Sequence, residues 1–206
     1  LGARYGELRL PRPVGATLDE LAGWEPGIGV FPRPYRHQAE ALEAFFHDRR
    51  DLIVSTGTGS GKTETFLLPI IGSLIEEAAA RPASFRQHGF RALLLYPMNA
   101  LVSDQIARLR RLLGDERLAS LFRSRYGRHP RFGMYTSRTP YPGARDPRKD
   151  SDHLGKLLRY YLELEDAASR EGPDSESARL VAELKARGRW PAKDLRGFFG
   201  TPGDAW

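Results

Sequence analysis

From Arg36 to His47 the apolar positions Ala39, Ala41, Leu42, Phe45 and Phe46 gather on one side of a 3.6-residue period, which predicts a helix. Residues 51–55 (Asp-Leu-Ile-Val-Ser) are a short β-branched apolar run between turn residues, the signature of a buried parallel strand. A glycine-rich turn at 57–61 follows. Beyond it Phe66, Leu67, Ile70, Ile71, Leu74, Ile75 and Ala78 recur at helical spacing, with Pro69 placed to kink the second turn or loosen its hydrogen bonds. Residues 91–96 read as a second strand stopped at Pro97. Residues 99–113 read as a helix with Leu101, Ile106, Leu109, Leu112 and Leu113 on its apolar stripe and Gly114 as its cap, and 131–136 as a third strand.

Strands alternating with helices predict an α/β fold, a parallel sheet flanked by helices. Residues 1–34 show no sustained period and read as an irregular N-terminal arm ended by Pro32 and Pro34. After Pro142 the pattern becomes helical, over 153–169 and 175–187, with Gly172-Pro173 between. The division is therefore an arm at 1–34, an α/β part at 35–142 and a helical insertion or linker at 143–206.

Composition narrows the possibilities. The 206 residues are 40% hydrophobic, enough for a core, so general disorder is excluded. With no cysteine, disulfides, thiolate clusters and Cys-type zinc sites are excluded, and the five histidines have no zinc-ligand spacing. No apolar run reaches the length of a membrane span, and residues 1–9 lack a signal-peptide layout; a cytoplasmic location is expected, with no membrane partner. A chain beginning at Leu1 and stopping at Trp206 in a Gly/Pro stretch reads as part of something longer, the rest of which is an expected partner.

The net charge of +6 is unevenly placed. Residues 105–149 carry 12 Lys+Arg against 3 Asp+Glu, a local +9, leaving 20 against 23 elsewhere. Such a window is either a solvated face or a footprint for a phosphate backbone. Tyr126 and Phe132 lie among its arginines, where rings can stack on bases, although Phe132 suits a core.

The strongest chemical signal is Thr56-Gly57-Thr58-Gly59-Ser60-Gly61-Lys62-Thr63, between a predicted strand and a predicted helix. Glycines let successive N–H groups turn toward one anion, and the helix start adds partial positive charge. Lys62 is placed to reach the β- and γ-phosphates, and the Thr63 hydroxyl to ligate Mg²⁺. This loop is expected to bind a nucleoside triphosphate. Thr56 stands where the strict pattern has glycine.

That spelling resembles motif I of superfamily 2 helicases of the DEAD/DEAH-box kind, and two flanking segments agree in order. Tyr35-Arg36-His37-Gln38-Ala39-Glu40-Ala41-Leu42 resembles the Q-motif; the resemblance makes Gln38 the adenine reader and Tyr35 or Arg36 its stacking partner. A carboxamide, with donor and acceptor, matches the adenine edge. Pro97-Met98-Asn99-Ala100-Leu101-Val102-Ser103-Asp104-Gln105 resembles motif Ia. Its spelling is closest to large Lhr-like and RecQ-like bacterial helicases with C-terminal zinc-binding domains. There a helix start holds the nucleic-acid backbone, which implicates Pro97, Asn99, Ala100, Gln105 and Arg108, with Asn99 neutral where many relatives carry a base. Tyr135-Thr136-Ser137-Arg138-Thr139-Pro140 resembles the turn after the third strand, with Arg138 as a strand contact and Ser137 in place of the usual glycine.

The resemblance covers about residues 31–140. It implies a RecA-like P-loop sheet, incomplete here, with ATP and Mg²⁺ as cofactors. It further implies single-stranded or partly duplex nucleic acid as partner, DNA ahead of RNA, and protein partners from repair or anti-phage systems. No Asp-Glu-x-His or Asp-Glu-x-Asp follows Gln105, so the motif that holds Mg²⁺ and activates water lies outside these residues, and turnover by this chain alone is not expected. The leading expectation is the N-terminal part of an ATP-dependent helicase or translocase. Two alternatives stay open: a nucleic-acid-binding module with a degenerate core, and a P-loop ATPase acting on protein assemblies.

Overall fold

Helix α3 (Glu64–Ala80) organises the first of two units, because three shorter helices pack on it: α1 (Arg12–Ala22), α2 (Arg36–Phe46) and α4 (Pro82–Arg86). The structure is a computed structural model and describes residues 2–55, 57, 59–136, 146–187 and 189–190. Its first unit comprises Leu1–Leu94 and Leu118–Pro130, its second Leu95–Arg117 and Arg131–Trp206.

In the first unit α3 buries Leu67, Leu68, Ile71, Leu74, Ile75 and Ala78, and runs unbroken through Pro69. Each fully buried aliphatic side chain contributes about 1.5–3 kcal/mol. Gly72 sets how closely the neighbours approach. A Cβ there would stand 2.6 Å from Phe46 Cζ and 3.0 Å from Val14 Cγ1.

The N-terminal arm differs from the irregular segment expected. It holds a 3₁₀ turn (Tyr5–Glu7) and α1, whose Val14, Leu18 and Leu21 repeat at i, i+4, i+7 and are fully buried. Pro13 and Gly15 obscure that period in the sequence, yet a proline in the first turn costs no helical hydrogen bond. Asp19 fastens the arm by accepting the N–H groups of Tyr5 and Gly6, both at 2.9 Å. A further helix unexpected from sequence, α6 (Glu116–Tyr126; α5 is described below), places Leu118, Leu121 and Phe122 in the core. Tyr126, a candidate base-stacking ring, lies edge-on to Phe122 (5.4 Å) and Phe85 (6.2 Å).

Where α3 passes into α4, Glu77 accepts from Ser84 Oγ at 2.6 Å and from Arg91 Nε at 2.8 Å. The Arg91 bond, then the Ser84 bond, hold its carboxyl below the usual carboxylate range against the opposing effect of burial. A lowered carboxyl pKa stabilises above the unfolded value near 4.3 and stops doing so as pH falls through the folded value. Glu77→Gln is therefore expected to lose about 2 kcal/mol at pH 7. Urea unfolding curves of variant and parent should converge near pH 3; an equal gap at both pH values would rule out the ionic contribution.

The second unit contains α5 (Asn99–Leu113), a short helix α7 (Pro147–Lys149), a π-turn (Asp150–Leu154), α8 (Gly155–Glu171) and α9 (Glu176–Ala186). Helix α5 has the bounds its periodicity predicts, and Gly114 closes it by donating to the Arg110 carbonyl at 3.1 Å. Helices α8 and α9 form a hairpin about Gly172 (φ 91°), and Ser175 Oγ caps α9 by accepting the Ala178 N–H at 3.1 Å. Leu154, Val181 and Trp190 make its small core, with Tyr161 edge-on to Trp190 at 5.2 Å.

The expected strands are the main difference. Among the described residues no β-ladder forms, and segments 51–55, 91–96 and 131–136 carry no regular secondary structure. Ile53 is 100% exposed, and Leu93 and Leu95 are exposed. A strand takes its stability from hydrogen-bonded neighbours and covered faces, and among the described residues neither surrounds these runs.

Candidate nucleotide-binding site

The glycine-rich loop sits at the start of α3, whose N-cap is Thr63. Gly59 and Gly61 adopt φ of 76° and 79°, the left-handed region in which side chains are strained. Two donors converge on one oxygen: Lys62 Nζ reaches the Gly57 carbonyl at 2.5 Å and Ser60 Oγ reaches it at 2.8 Å. Among the described residues the N–H groups of Gly59, Gly61 and Thr63 find no protein acceptor. Free amides, an ammonium and a helix start gathered at one turn fit a phosphate group. The Thr63 hydroxyl makes no hydrogen bond among the described residues, which fits a metal ligand.

Gln38 ties the upstream segment to this loop. It is 4% exposed. Its Oε1 accepts the Tyr35 N–H at 2.8 Å, an N-terminal helix bond, while its Nε2 donates to the Gly61 carbonyl at 2.9 Å. A residue 23 positions away in sequence is thereby fixed on the loop's backbone. A carboxamide carries two hydrogens and two acceptor sites, so one of each remains.

The two candidate stacking residues part company. Tyr35 is 64% exposed, and its Cδ2 lies 3.4 Å from where a Cβ on Gly61 would stand. Arg36 instead pairs with Glu40 on its own helix at 2.8 Å. Sequence reasoning misses His37, whose ring stacks on Tyr35 (5.9 Å, 15°). It also misses the arm packed on α3: burial, then the carboxylates of Asp19 and Glu64, push the Tyr5 phenol far above its ordinary pKa. Only the i, i+4, i+7 pattern at Val14, Leu18 and Leu21 signals that contribution in the sequence. Thr56, Thr58 and Arg138 lie outside the described residues.

The motif Ia candidates belong to the second unit. Pro97 is exposed ahead of Met98, which is extended, and Asn99 and Ala100 are exposed in the first turn of α5. Gln105 Nε2 donates to Asp104 at 3.2 Å, and Arg108 pairs with Asp104 at 3.7 Å. The basic window is divided between the units, and several of its arginines have structural partners. Arg117 pairs with Asp115 at 2.9 Å and Arg125 with Glu20 at 2.8 Å. Arg110 is held within the unit, where burial lowers its pKa. No group of His, Asp or Glu among the described residues is arranged to hold a metal by itself. No helix among them is long and apolar enough to cross a membrane.

Residues 35–132 match the DEAD/DEAH box helicase family model, a span that starts at Tyr35 and contains both the loop and motif Ia. This stretch is a DEAD/DEAH box helicase segment. That membership implies a RecA-like α/β fold for it. Across 97% of its length the chain is 48% identical to the Druantia protein DruE of Escherichia coli strain UMEA 4076-1, and it covers 10% of that protein. It is 35% identical over 117 residues to the ATP-dependent RNA helicase ROK1 of Scheffersomyces stipitis, covering 53% of this chain and 20% of that one. It is 29% identical over 108 residues to the ATP-dependent RNA helicase DBP9 of Meyerozyma guilliermondii, covering 47% and 17% respectively. The chain thus spans a tenth to a fifth of the length of these relatives. No solved structure matches it.

Proposed function

We propose that this chain is the nucleotide-gripping part of an ATP-dependent nucleic-acid helicase or translocase working in the cytoplasm. The observation that supports the reading is the Gln38–Gly61 bond, which joins the residue assigned to adenine to the loop assigned to the phosphates. Gln38 and Tyr35 are assigned to the base. The 57–63 amides, with Thr56 and Thr58 in the same loop, are assigned to the phosphates, Lys62 to the β- and γ-oxygens and Thr63 to Mg²⁺. Magnesium at Thr63 would neutralise charge on the phosphate oxygens. Lys62 would leave the Gly57 carbonyl for the phosphates, a shift its flexible four-carbon stem permits. Ser60, released from the same carbonyl, would add a donor.

The segments 51–55, 91–96 and 131–136 are assigned to the RecA-like sheet. Pro97 and the exposed first residues of α5, Asn99 and Ala100, with Gln105 and Arg108 further along the helix and Arg138, are assigned to the backbone of a single strand, DNA ahead of RNA. Turnover requires a water-activating carboxylate and a second RecA-like domain from the rest of the protein, and protein partners belong to a repair or defence assembly. The test is ATP hydrolysis by the intact protein with magnesium. Single-stranded DNA should stimulate it at least about tenfold, and more than RNA of equal length. Hydrolysis indifferent to either nucleic acid would sink the helicase reading and favour action on proteins.

A further inference from the structure

At the far end of α3 from the phosphate loop, two segments of the first unit, 81–91 and 118–130, hold six arginines and no aspartate or glutamate. Tertiary packing draws them together. Phe85 of α4 contacts Phe122 (6.1 Å) and Tyr126 (6.2 Å) of α6, and the Arg128 guanidinium lies 5.4 Å over the Phe85 ring. Arg128 and Arg91 both donate to the Gln87 carbonyl, at 2.8 and 3.2 Å. Glu77 takes Arg91 and Glu20 takes Arg125.

Three exposed arginines remain. Among the described residues Arg81 and Arg86 have no ion pair, and Arg123 faces an imidazole and a hydroxyl, His129 (3.4 Å) and Ser120 (3.3 Å). Four residues past Arg86 in the chain, Phe90 is 94% exposed between Gly89 and Arg91, and the Arg91 guanidinium is held by Glu77 and by the Ser84 and Gln87 carbonyls of the same segment. The patch is a helix length from the loop: α3 has 17 residues, about 25 Å at 1.5 Å each.

From this we infer a second nucleic-acid contact, away from the nucleotide site and built from none of the motif Ia residues, in which Arg81, Arg86 and Arg123 hold the phosphates of a single strand and Phe90 stacks on a base. Guanidiniums suit phosphate oxygens. The exposed ring among them distinguishes a nucleic acid from an acidic polypeptide, because a base offers a face to stack on and a carboxylate side chain does not. The proposal rests on the nucleic-acid reading above and adds residues that reading does not use, at the opposite end of α3 from the phosphate loop.

The test is binding of a fluorescent 20-nucleotide oligo-dT to the protein without nucleotide, titrated over a range of salt. Arg81→Ala/Arg86→Ala/Arg123→Ala should weaken binding about tenfold at 100 mM salt and make the log–log salt slope shallower by about 2, near 0.7 for each phosphate left unneutralised. Phe90→Ala should weaken binding about tenfold with the slope unchanged. Unchanged circular dichroism and unfolding midpoints would show that the variants fold. If the parent binds the oligonucleotide and both variants bind it equally well with the same slope, this second surface is overturned while the helicase reading stands. If the parent binds no oligonucleotide even at low salt, both fall. Displacement of the oligonucleotide by polyglutamate at equal charge as readily as by unlabelled oligo-dT would overturn the choice of nucleic acid in favour of an acidic protein.

Discussion

Lys62→Ala should lower ATP turnover by the intact protein about 10²–10³-fold. The Lys62 ammonium is seated on the loop's own carbonyl, 2.5 Å from Gly57 O, and its stem allows it to move to a phosphate. Charge placed in advance where negative charge builds up is the largest single contribution in most phosphoryl transfers, and removal of one such donor costs about 10²–10³ in rate. The fold should survive the substitution, since Lys62 lies in the loop ahead of α3 and the helix keeps its apolar face. Steady-state hydrolysis with saturating magnesium and strand, alongside an unfolding curve, checks both halves. A variant that unfolds normally and hydrolyses ATP at the parent rate would remove Lys62 from the chemistry.

Gly61→Ala should weaken nucleotide binding close to a hundredfold, and more than Gly59→Ala. Both glycines have φ near +80°, so alanine costs about 1–2 kcal/mol of backbone strain at either. The surroundings separate them. A Cβ on Gly59 meets nothing within 4 Å, whereas one on Gly61 would stand 2.5 Å from Gln38 Nε2 and 3.3 Å from Glu64 Oε2. Pushing Gln38 off the Gly61 carbonyl adds the loss of a hydrogen bond, about 1 kcal/mol, and each 1.4 kcal/mol is tenfold in affinity. Calorimetric titration with a non-hydrolysable ATP analogue measures the two variants side by side. Equal losses would mean that Gln38 adds nothing to the loop.

Those two glycines also show what the sequence can and cannot convey. The loop is legible because its chemistry is local: glycines, lysine and threonine in one run ahead of an amphipathic stretch. Helices α2, α3 and α5 are legible for the same reason, each carrying a full apolar stripe. Helix α1 is not, because Pro13 and Gly15 interrupt a stripe of only three residues, and α6 is hidden by its arginines. The Gln38–Gly61 bond crosses 23 residues and has no signal in the sequence; the resemblance singles out Gln38 but not its contact with the loop. His37 and Asp19 have no signal at all, since each acts through a neighbour brought close by folding. The apolar runs at 51–55 and 91–96 read clearly as strands, but a run specifies only its own half of a ladder.

The interdigitation at Gly72 bears on where the domain begins. The helicase match starts at Tyr35, yet the side of α3 that faces Val14 is seated by the arm, and Asp19 holds the chain that covers it. Homology marks the ancestry of the segment from Tyr35 onward; packing draws a wider boundary, in which some thirty residues ahead of the shared motifs sit in the same compact unit as α3.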